Sequence, residues 1–192
     1  IARYKTPSGR VIQRPYTMGD RDSYYSDNTR YMHPDSISRD DVPTFKTLKH
    51  GRAVYGGGGI TPDVYINTDT IRISDCVATS ASNATFEHAV IEYWDIINHE
   101  AILKEYPTIH EFNNSYNIDE QLLEIYFQMA GYGSEEVTEL DQKYIHTMLL
   151  ATIAEQLYGS NARHYIYGLR FDYTLQRAIE ITSDLATYSA IL

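Results

Sequence analysis

Two turn-forming segments constrain the fold of this 192-residue chain more than any other feature. The first, Arg3–Gln13, has Pro7-Ser8-Gly9 at its centre, and the second, Gly51–Val64, contains four consecutive glycines at 56–59. Residues that favour extended backbone flank both turns. Each segment is therefore predicted to form a strand, a tight turn and a second extended stretch.

The remainder of the first 70 residues is predicted to add further strands. Thr44–Leu48 and Ala53–Tyr55 have the composition of a hairpin that turns at Lys49-His50-Gly51. Ile60–Ile66 is expected to form a last strand, entered through the glycine run. This half of the chain therefore predicts a small, mostly extended unit.

A polar insertion, Met18–Asp41, interrupts that unit. It is rich in Asp, Ser, Arg and Tyr, has no sustained period, and is expected to hold a short helix within Asp20–Tyr31. A contact surface and scattered surface residues explain its tyrosines equally well at this point; these are Tyr24, Tyr25 and Tyr31.

The second half of the chain has helical periodicity. Apolar residues recur every three or four positions in four stretches: Phe86–Ala101, Leu122–Ala130, Ile145–Leu157 and Leu175–Ala186. The first stretch is expected to belong to one helix of about 20 residues that Pro107 ends. Four or five amphipathic helices joined by short polar loops predict a compact bundle.

Helix ends are predicted from capping residues. Asn117 with Glu120 three positions later resembles a capping box before the second helix. Ser134-Glu135-Glu136 offers a cap and first-turn acids to the third helix. Glycines are expected to end these two helices, at Gly131 with Gly133 and at Gly159.

Charge is distributed unevenly along the chain, whose formal net charge is −10. Residues 1–70 carry ten Lys or Arg and eight Asp or Glu, whereas residues 71–192 carry six and eighteen. This step predicts two domains, 1–70 and 71–192, with a boundary near residues 67–82. The fold class expected is α+β, a short β segment followed by a mostly α-helical bundle. The acidic balance argues against a nucleic-acid partner, and no apolar run approaches the ~20 residues of a membrane span.

Several chemical sites were considered, and none is assigned. The glycine run lacks the Gly-Lys-Ser/Thr ending of a phosphate-binding loop and precedes a predicted strand, so positive φ angles or a close backbone approach explain it better. A Ser8–Lys5 dyad is rejected because Ser8 has the setting of a turn-former. Cys76, the single cysteine, is expected to be a buried or half-buried apolar residue.

A metal site is also not expected. No His-Glu-x-x-His occurs, and His88 with Glu92 is only a one-turn pair, whereas zinc requires three or four converging ligands. Solvated or core positions are the default interpretation of the seven histidines, which are His33, His50, His88, His99, His110, His146 and His164. The sequence therefore yields no catalytic, metal or cofactor residue.

The two turn segments resemble the closing part of the protease domain in carboxyl-terminal-processing (tail-specific) serine peptidases. Many members carry Arg-Tyr-x-Thr-Pro-Ser-Gly-Arg-x-Ile-Gln, which Arg3–Gln13 matches with Lys5 where tyrosine is usual. The Gly-Ile-x-Pro-Asp signature is matched at Gly59–Asp63. About 45 residues separate the motifs here, a spacing similar to that of bacterial members that continue into a helical C-terminal region.

The resemblance implies a parent enzyme that cuts proteins at or near their C-termini through a serine nucleophile and a lysine general base. In the family, these residues and a PDZ-type domain that captures protein or peptide substrates lie upstream of the first motif. The chain itself, which starts at Ile1, is therefore expected to be inactive and to need no cofactor. A periplasmic or cell-envelope location is implied by the resemblance alone.

Two functional hypotheses follow from this reasoning. The first is a non-catalytic C-terminal segment of such a peptidase, with a helical domain for packing, access control or assembly. The second is a stand-alone acidic helical module that binds a basic protein partner. Under the first hypothesis, strand edges in residues 1–66 are expected to be partly disordered or to pair in a homodimer, while residues 82–192 fold independently.

Overall fold

The computed structural model describes residues 4–13, 18–20, 22, 43–57, 59–60, 62–66 and 72–191. Clustering of the backbone divides the chain into two compact units. Unit 1 comprises residues 1–66 together with 182–192, and unit 2 comprises residues 67–181. The described part is mostly helical, with one small antiparallel sheet, which agrees with an α+β fold dominated by helices. The predicted domains, 1–70 and 71–192, differ from these units at residues 67–70 and in the last eleven residues.

Unit 1 contains the sheet. β1 (Thr44–Lys46) pairs antiparallel with β2 (Ala53–Tyr55), and Phe45 lies opposite Val54. The amide of Gly51 donates to the carbonyl of Thr47 at 3.0 Å and closes the turn. The predicted hairpin and its turn are therefore confirmed, although β1 ends two residues early.

Other extended predictions for unit 1 are only partly met. The described residues of the first motif form one isolated antiparallel bridge, Lys5 to Val11, and no strand of greater length. The described residues of 60–66 form no strand, because Pro62 lacks an amide hydrogen and Asp63 and Val64 form a bend. Of residues 20–31, where a short helix is predicted, the structure describes only Asp20 and Asp22, and Asp22 has helical backbone. The three tyrosines of the insertion lie outside the described residues. The helix at Leu185–Ile191, numbered α9 below, completes the unit.

Unit 2 consists of helices connected by short loops. Its helices are α1 (Asp75–Ser82), α2 (Thr85–Trp94), α3 (His99–Glu105), α4 (Ile109–Ser115), α5 (Glu120–Ala130), α6 (Glu139–Tyr158), α7 (Asn161–Arg170) and α8 (Tyr173–Ser183). The last two residues of α8 are assigned to unit 1. A short 3₁₀ turn, Ser134–Glu136, precedes α6. The bundle thus contains more, shorter helices than the periodicity predicts.

The prediction of one helix of about 20 residues through Phe86–Ala101 is wrong, because this stretch forms two helices, α2 and α3. The Asn98 side chain accepts a hydrogen bond from the amide of Ala101 at 3.0 Å and starts α3 anew. His99 then stacks on Trp94 with ring centroids 4.0 Å apart. A local side-chain cap therefore overrides a periodic apolar pattern that continues through the break.

Capping was predicted at the wrong residues in two places. Asp119, and not Asn117, accepts from the amide of Gln121 at 2.7 Å and begins α5. Thr138 forms the capping box of α6 with Asp141, whereas Ser134-Glu135-Glu136 form the separate 3₁₀ turn. Gly131, in the left-handed region, and Gly159 do end α5 and α6 as predicted.

The core of unit 2 is built around α6. Eight consecutive residues, 147–154, are buried, so the middle of this helix is enclosed on all sides instead of burying one stripe. It packs against α2 and α7, while α5 packs on α2, where Phe86 stacks on Tyr126 at 4.8 Å. The largest fully buried side chains include Phe112, Leu122, Ile145, Leu149, Leu150, Ile153 and Ile166.

Candidate functional site

The two sequence motifs meet in unit 1. The amide of Gly57 donates to the carbonyl of Val11 and the amide of Gly59 to that of Ile12, each at 2.8 Å. The Arg10 guanidinium donates through Nη1 to the carbonyl of Tyr55 at 3.4 Å. Segments that lie about 45 residues apart in the chain therefore form one backbone-bonded junction.

The glycine run makes this junction possible in the two ways that its composition predicted. Gly57 and Gly59 have φ angles of +78° and +93°, in the region that glycine tolerates best. At Gly56, an added Cβ would lie 2.8 Å from Cε2 of Phe45 and 3.3 Å from the carbonyl oxygen of Val11. Positive φ angles are therefore found at Gly57 and Gly59, although not at consecutive described residues, and a close approach that admits no side chain is found at Gly56.

The Pro7-Ser8-Gly9 segment forms the tight turn expected of it. The amide of Gly9 donates to the carbonyl of Thr6 at 2.8 Å, and the amide of Thr6 donates to that of Arg10 at 2.9 Å. Ser8 Oγ lies 3.0 Å from Thr6 Oγ1, and Lys5 is exposed. The hydroxyl of Ser8 is thus bonded within the turn, which is the role the sequence indicated.

A cleft of about 480 Å³ opens beside the junction, and all of its described lining belongs to unit 1. Its polar lining comes from Thr6, Ser8, Arg10, Thr47, Arg52 and Asp63. Its apolar lining comes from Ala53, Val54, Tyr55, Ile60, Pro62 and Ile191. The volume lies within the range of small-molecule sites, and polar groups on an apolar wall are the usual composition of such sites.

The two arginines of the cleft differ in their bonding. Arg52 pairs with Asp63, Nη1 to Oδ1, at 2.5 Å, and also donates to the carbonyl of Ile191 at 3.4 Å. Arg10 has only the long bond to Tyr55, and its Nε, which has no solvent access, has no acceptor among the described residues. The cleft therefore contains one neutralised and one uncompensated guanidinium.

Unit 2 contains a fully buried carboxylate, Asp141. Its Oδ1 accepts from the amide of Ser74 at 2.8 Å, and its Oδ2 accepts from the amide and the hydroxyl of Thr138 at 2.9 and 2.7 Å. Burial by itself raises the pKa of Asp141, but these hydrogen bonds outweigh it and hold the pKa below its usual value. Asp141 ties the start of α1 to the start of α6, which is a structural role.

Further polar groups of unit 2 are paired with one another. Tyr126 and Tyr132 share a hydrogen bond of 2.7 Å, and Tyr132 also contacts Ser80 Oγ at 3.1 Å. Burial, followed by the hydrogen bond with Tyr132, raises the pKa of Tyr126. Arg163 pairs with Glu87 at 2.6 Å and with Glu155 at 3.3 Å. These groups stabilise helix packing, and none is poised as a nucleophile or base.

The remaining candidates of the sequence lie apart. Among the described residues, no group of three or more His, Cys, Asp or Glu could hold a metal ion. His88 and Glu92 are both exposed, and His33 lies outside the described residues. Cys76 is half-buried, as predicted, with its Sγ 3.1 Å from Ser74 Oγ.

The surface of unit 2 is strongly acidic over one stretch of the chain. Residues 92–139 carry eleven Asp and Glu and a single basic residue, Lys104. All eleven carboxylates are exposed. The sequence predicted an acidic second half; the structure adds that the charge of this stretch is at the surface.

Sequence reasoning missed the residues that make the cleft polar. Arg10 lies in the first motif, which was interpreted only as a turn. Arg52 and Asp63 lie 11 positions apart, and no sequence pattern predicts that they form a salt bridge. The one available signal was that both motifs contain an arginine next to a glycine: Gly9-Arg10 and Gly51-Arg52. Asp141 also had a signal, since Thr138 precedes it by three residues at a helix start.

No helix among the described residues combines the length and the apolar composition needed to cross a membrane. Residues 79–159, less than half of the chain, match the model of a family of unknown function (DUF8443). This match covers the stretch from α1 to the end of α6, and it leaves the two motifs outside. No curated protein and no solved structure matches the chain. The chain is thus similar to that family over the helical core of unit 2.

Proposed function

We propose that this chain is a non-catalytic C-terminal part of a carboxyl-terminal-processing serine endopeptidase. In this proposal, unit 1 supplies outer strands and turns of the protease core, and unit 2 is a helical accessory domain. The catalytic serine and lysine belong to a preceding segment, so the chain by itself does not cleave protein. The parent acts on protein or peptide substrates in the periplasm or cell envelope.

One observation supports the proposal beyond the motifs themselves. If both motifs belong to one protease core, they are expected to lie beside each other. They contact each other through the bonds of Gly57 to Val11 and Gly59 to Ile12. A residue of the second motif also limits which side chains fit beside this contact, because a side chain at Gly56 would clash with Phe45.

Hydrolysis of an unstructured protein such as casein tests this proposal. The 192-residue chain is compared with a longer protein that includes the expected serine and lysine, and with the serine-to-alanine variant of the longer protein. We expect hydrolysis only by the longer protein with its serine intact. Hydrolysis by the 192-residue chain would contradict the proposal, and Ser8→Ala would then be the first variant to measure.

An acidic binding module is the second candidate, and the exposed carboxylates of residues 92–139 favour it. Such a surface would attract a basic protein segment, with an affinity that falls as salt screens the charges. Titration with a lysine-rich peptide tests this candidate. Binding that weakens with salt in wild type, and further in a Glu135→Gln/Glu136→Gln/Glu139→Gln variant, would support it. Binding that is unchanged by both would refute it.

Strand edges provide a further consequence of the first candidate. β1 and β2 form a sheet of only two short strands among the described residues, and a two-stranded sheet is marginally stable by itself. We expect unit 1 to gain protection from hydrogen exchange when the preceding core is present or when two chains associate. Strong and equal protection of both units in the monomer would contradict this expectation.

A further inference from the structure

The cleft of unit 1 has chemistry that neither proposed function uses. Its described lining contains two guanidinium groups, Arg10 and Arg52, and one carboxylate, Asp63, which gives it a formal charge of +1. Asp63 is bonded to Arg52 and compensates that residue alone. The excess positive charge therefore belongs to Arg10.

Arg10 is held in place but is not satisfied. Its Cγ packs over Gly56, where an added Cβ would lie 3.3 Å away. Its Nη1 makes a long bond to the carbonyl of Tyr55, and its Nε finds no acceptor among the described residues. Nε and the second terminal nitrogen form the edge of a guanidinium that fits two oxygens of one carboxylate. Arg10 lines the cleft, and its Nε has no solvent access in this structure, so a ligand that uses this edge requires the side chain to rotate toward the cleft.

A hydroxyl donor lies on the same lining. Thr47 Oγ1 accepts from the amide of Arg52 at 3.0 Å, which leaves its own hydrogen available to donate. The hydroxyl hydrogen of Thr6 is committed to the carbonyl of Arg10 at 3.2 Å, so Ser8 donates to Thr6. Thr47 is therefore the hydroxyl on the same lining as Arg10 whose hydrogen is available to a ligand in the cleft.

We propose that this cleft binds a single carboxylate attached to a small apolar body, with Arg10 and Thr47 holding the carboxylate. One negative charge matches the excess of one positive charge, whereas a phosphate brings a charge of about −1.5 to −2. Val54, Ile60 and Ile191 provide apolar surface for the attached body. The proposal depends only on unit 1 and does not require the peptidase proposal.

Nuclear magnetic resonance of the full 192-residue chain tests the proposal, because the Nε–H of an arginine gives its own signal. The probes are hexanoate, its uncharged analogue hexanamide, and inorganic phosphate. We expect hexanoate to shift the Arg10 Nε–H and Gly57 amide signals in a saturable way, and hexanamide to shift neither at the same concentration. Equal shifts with both, or tighter binding of phosphate than of hexanoate, would overturn the proposal.

Two variants assign the effect to Arg10. Arg10→Gln is expected to weaken hexanoate binding by at least about tenfold, because a charge-assisted bidentate pair is lost. Arg72→Gln is the matched control, since it removes one positive charge from an exposed position in unit 2. Equal weakening in both variants would mean a general charge effect and would refute the site.

A third variant covers the case in which Arg10→Gln disturbs the junction of the motifs. Thr47→Val keeps the shape of the side chain and removes the hydroxyl, and the weakening expected is about fivefold. The fold of this variant is checked by the amide of Gly57, which bonds to the carbonyl of Val11 and must stay protected from hydrogen exchange. An unchanged affinity in a folded Thr47→Val variant would overturn the assignment of Thr47 and Arg10 as one site.

Discussion

Replacing Asp141 by asparagine tests the argument about unit 2 most sharply, because the substitution preserves the shape of the side chain. The carboxylate uses both oxygens, one for Ser74 and one for Thr138, and it is fully buried. An asparagine offers one oxygen and turns an amide donor toward one of these N–H donors. Either the start of α1 or the capping box of α6 must lose its acceptor.

The magnitude follows from the bonds that are lost. A hydrogen bond to a charged group contributes about 1.5–3 kcal/mol, and loss of a helix cap costs about 1 kcal/mol. The expected decrease in the free energy of unfolding for Asp141→Asn is therefore about 2–4 kcal/mol. Glu139→Gln is the control: this exposed acid of the same first turn contributes only about 0.3–1 kcal/mol through the helix dipole.

Urea unfolding followed by far-ultraviolet circular dichroism measures both variants, since most of the helical signal comes from unit 2. The pH dependence adds a second test. The pKa of Asp141 is lowered in the folded protein, so its contribution is fully present above the unfolded pKa of about 3.9. It is lost as the pH falls through the lower folded value. The difference between wild type and Asp141→Asn should thus shrink toward about pH 3.

Two results would refute this reasoning. One is an Asp141→Asn variant that loses no more stability than Glu139→Gln. The other is a difference between wild type and Asp141→Asn that stays constant from about pH 7 to about pH 3. The first would mean that water satisfies Ser74 and Thr138, and the second that the charge of Asp141 does not contribute.

Three further substitutions test other contacts. Gly56→Ala places a Cβ against Phe45 and should destabilise unit 1 by about 1–3 kcal/mol; hydrogen exchange of the β1–β2 amides measures this, and unchanged exchange would contradict it. Arg163→Gln should lower stability modestly, and a double-mutant cycle with Glu87→Gln should give a coupling of about 0.5–1 kcal/mol that decreases with salt; a coupling of zero at low salt would show that the pair does not stabilise the fold. Tyr132→Phe should cost about 0.5–1.5 kcal/mol by urea unfolding, because Tyr126 and Ser80 lose their shared partner; a cost indistinguishable from zero would mean that water replaces the hydroxyl.

Local residue chemistry accounts for the features that sequence reasoning predicted correctly. The hairpin of β1 and β2 depends on a turn whose residues are adjacent in the chain. The ends of α5 and α6 depend on Gly131 and Gly159, which stop a helix by their own backbone preference. The tight turn at Pro7–Gly9 has the same kind of cause.

The sequence predictions of helix starts were wrong where two local sequence signals favoured different residues. The apolar pattern of residues 86–101 runs through the break at Asn98, where that side chain caps α3. Asn117 and Asp119 are both good caps, and only the packed position of α5 selects Asp119. Likewise, a single buried stripe on α6 underestimates how many of its residues are buried, because the sequence does not show which helices pack around its middle.

The sequence alone determined the turns, the helical character of the second half, the step in charge and the two motifs on which the peptidase proposal depends. These features arise from backbone preferences and from residues close together in the chain. Only the tertiary structure decided which distant groups meet: Val11 with Gly57, Arg52 with Asp63, and Ser74 with Asp141. Such contacts depend on how whole segments pack, because burial and partner geometry, and not the identity of a residue, decide whether a polar group finds its partner.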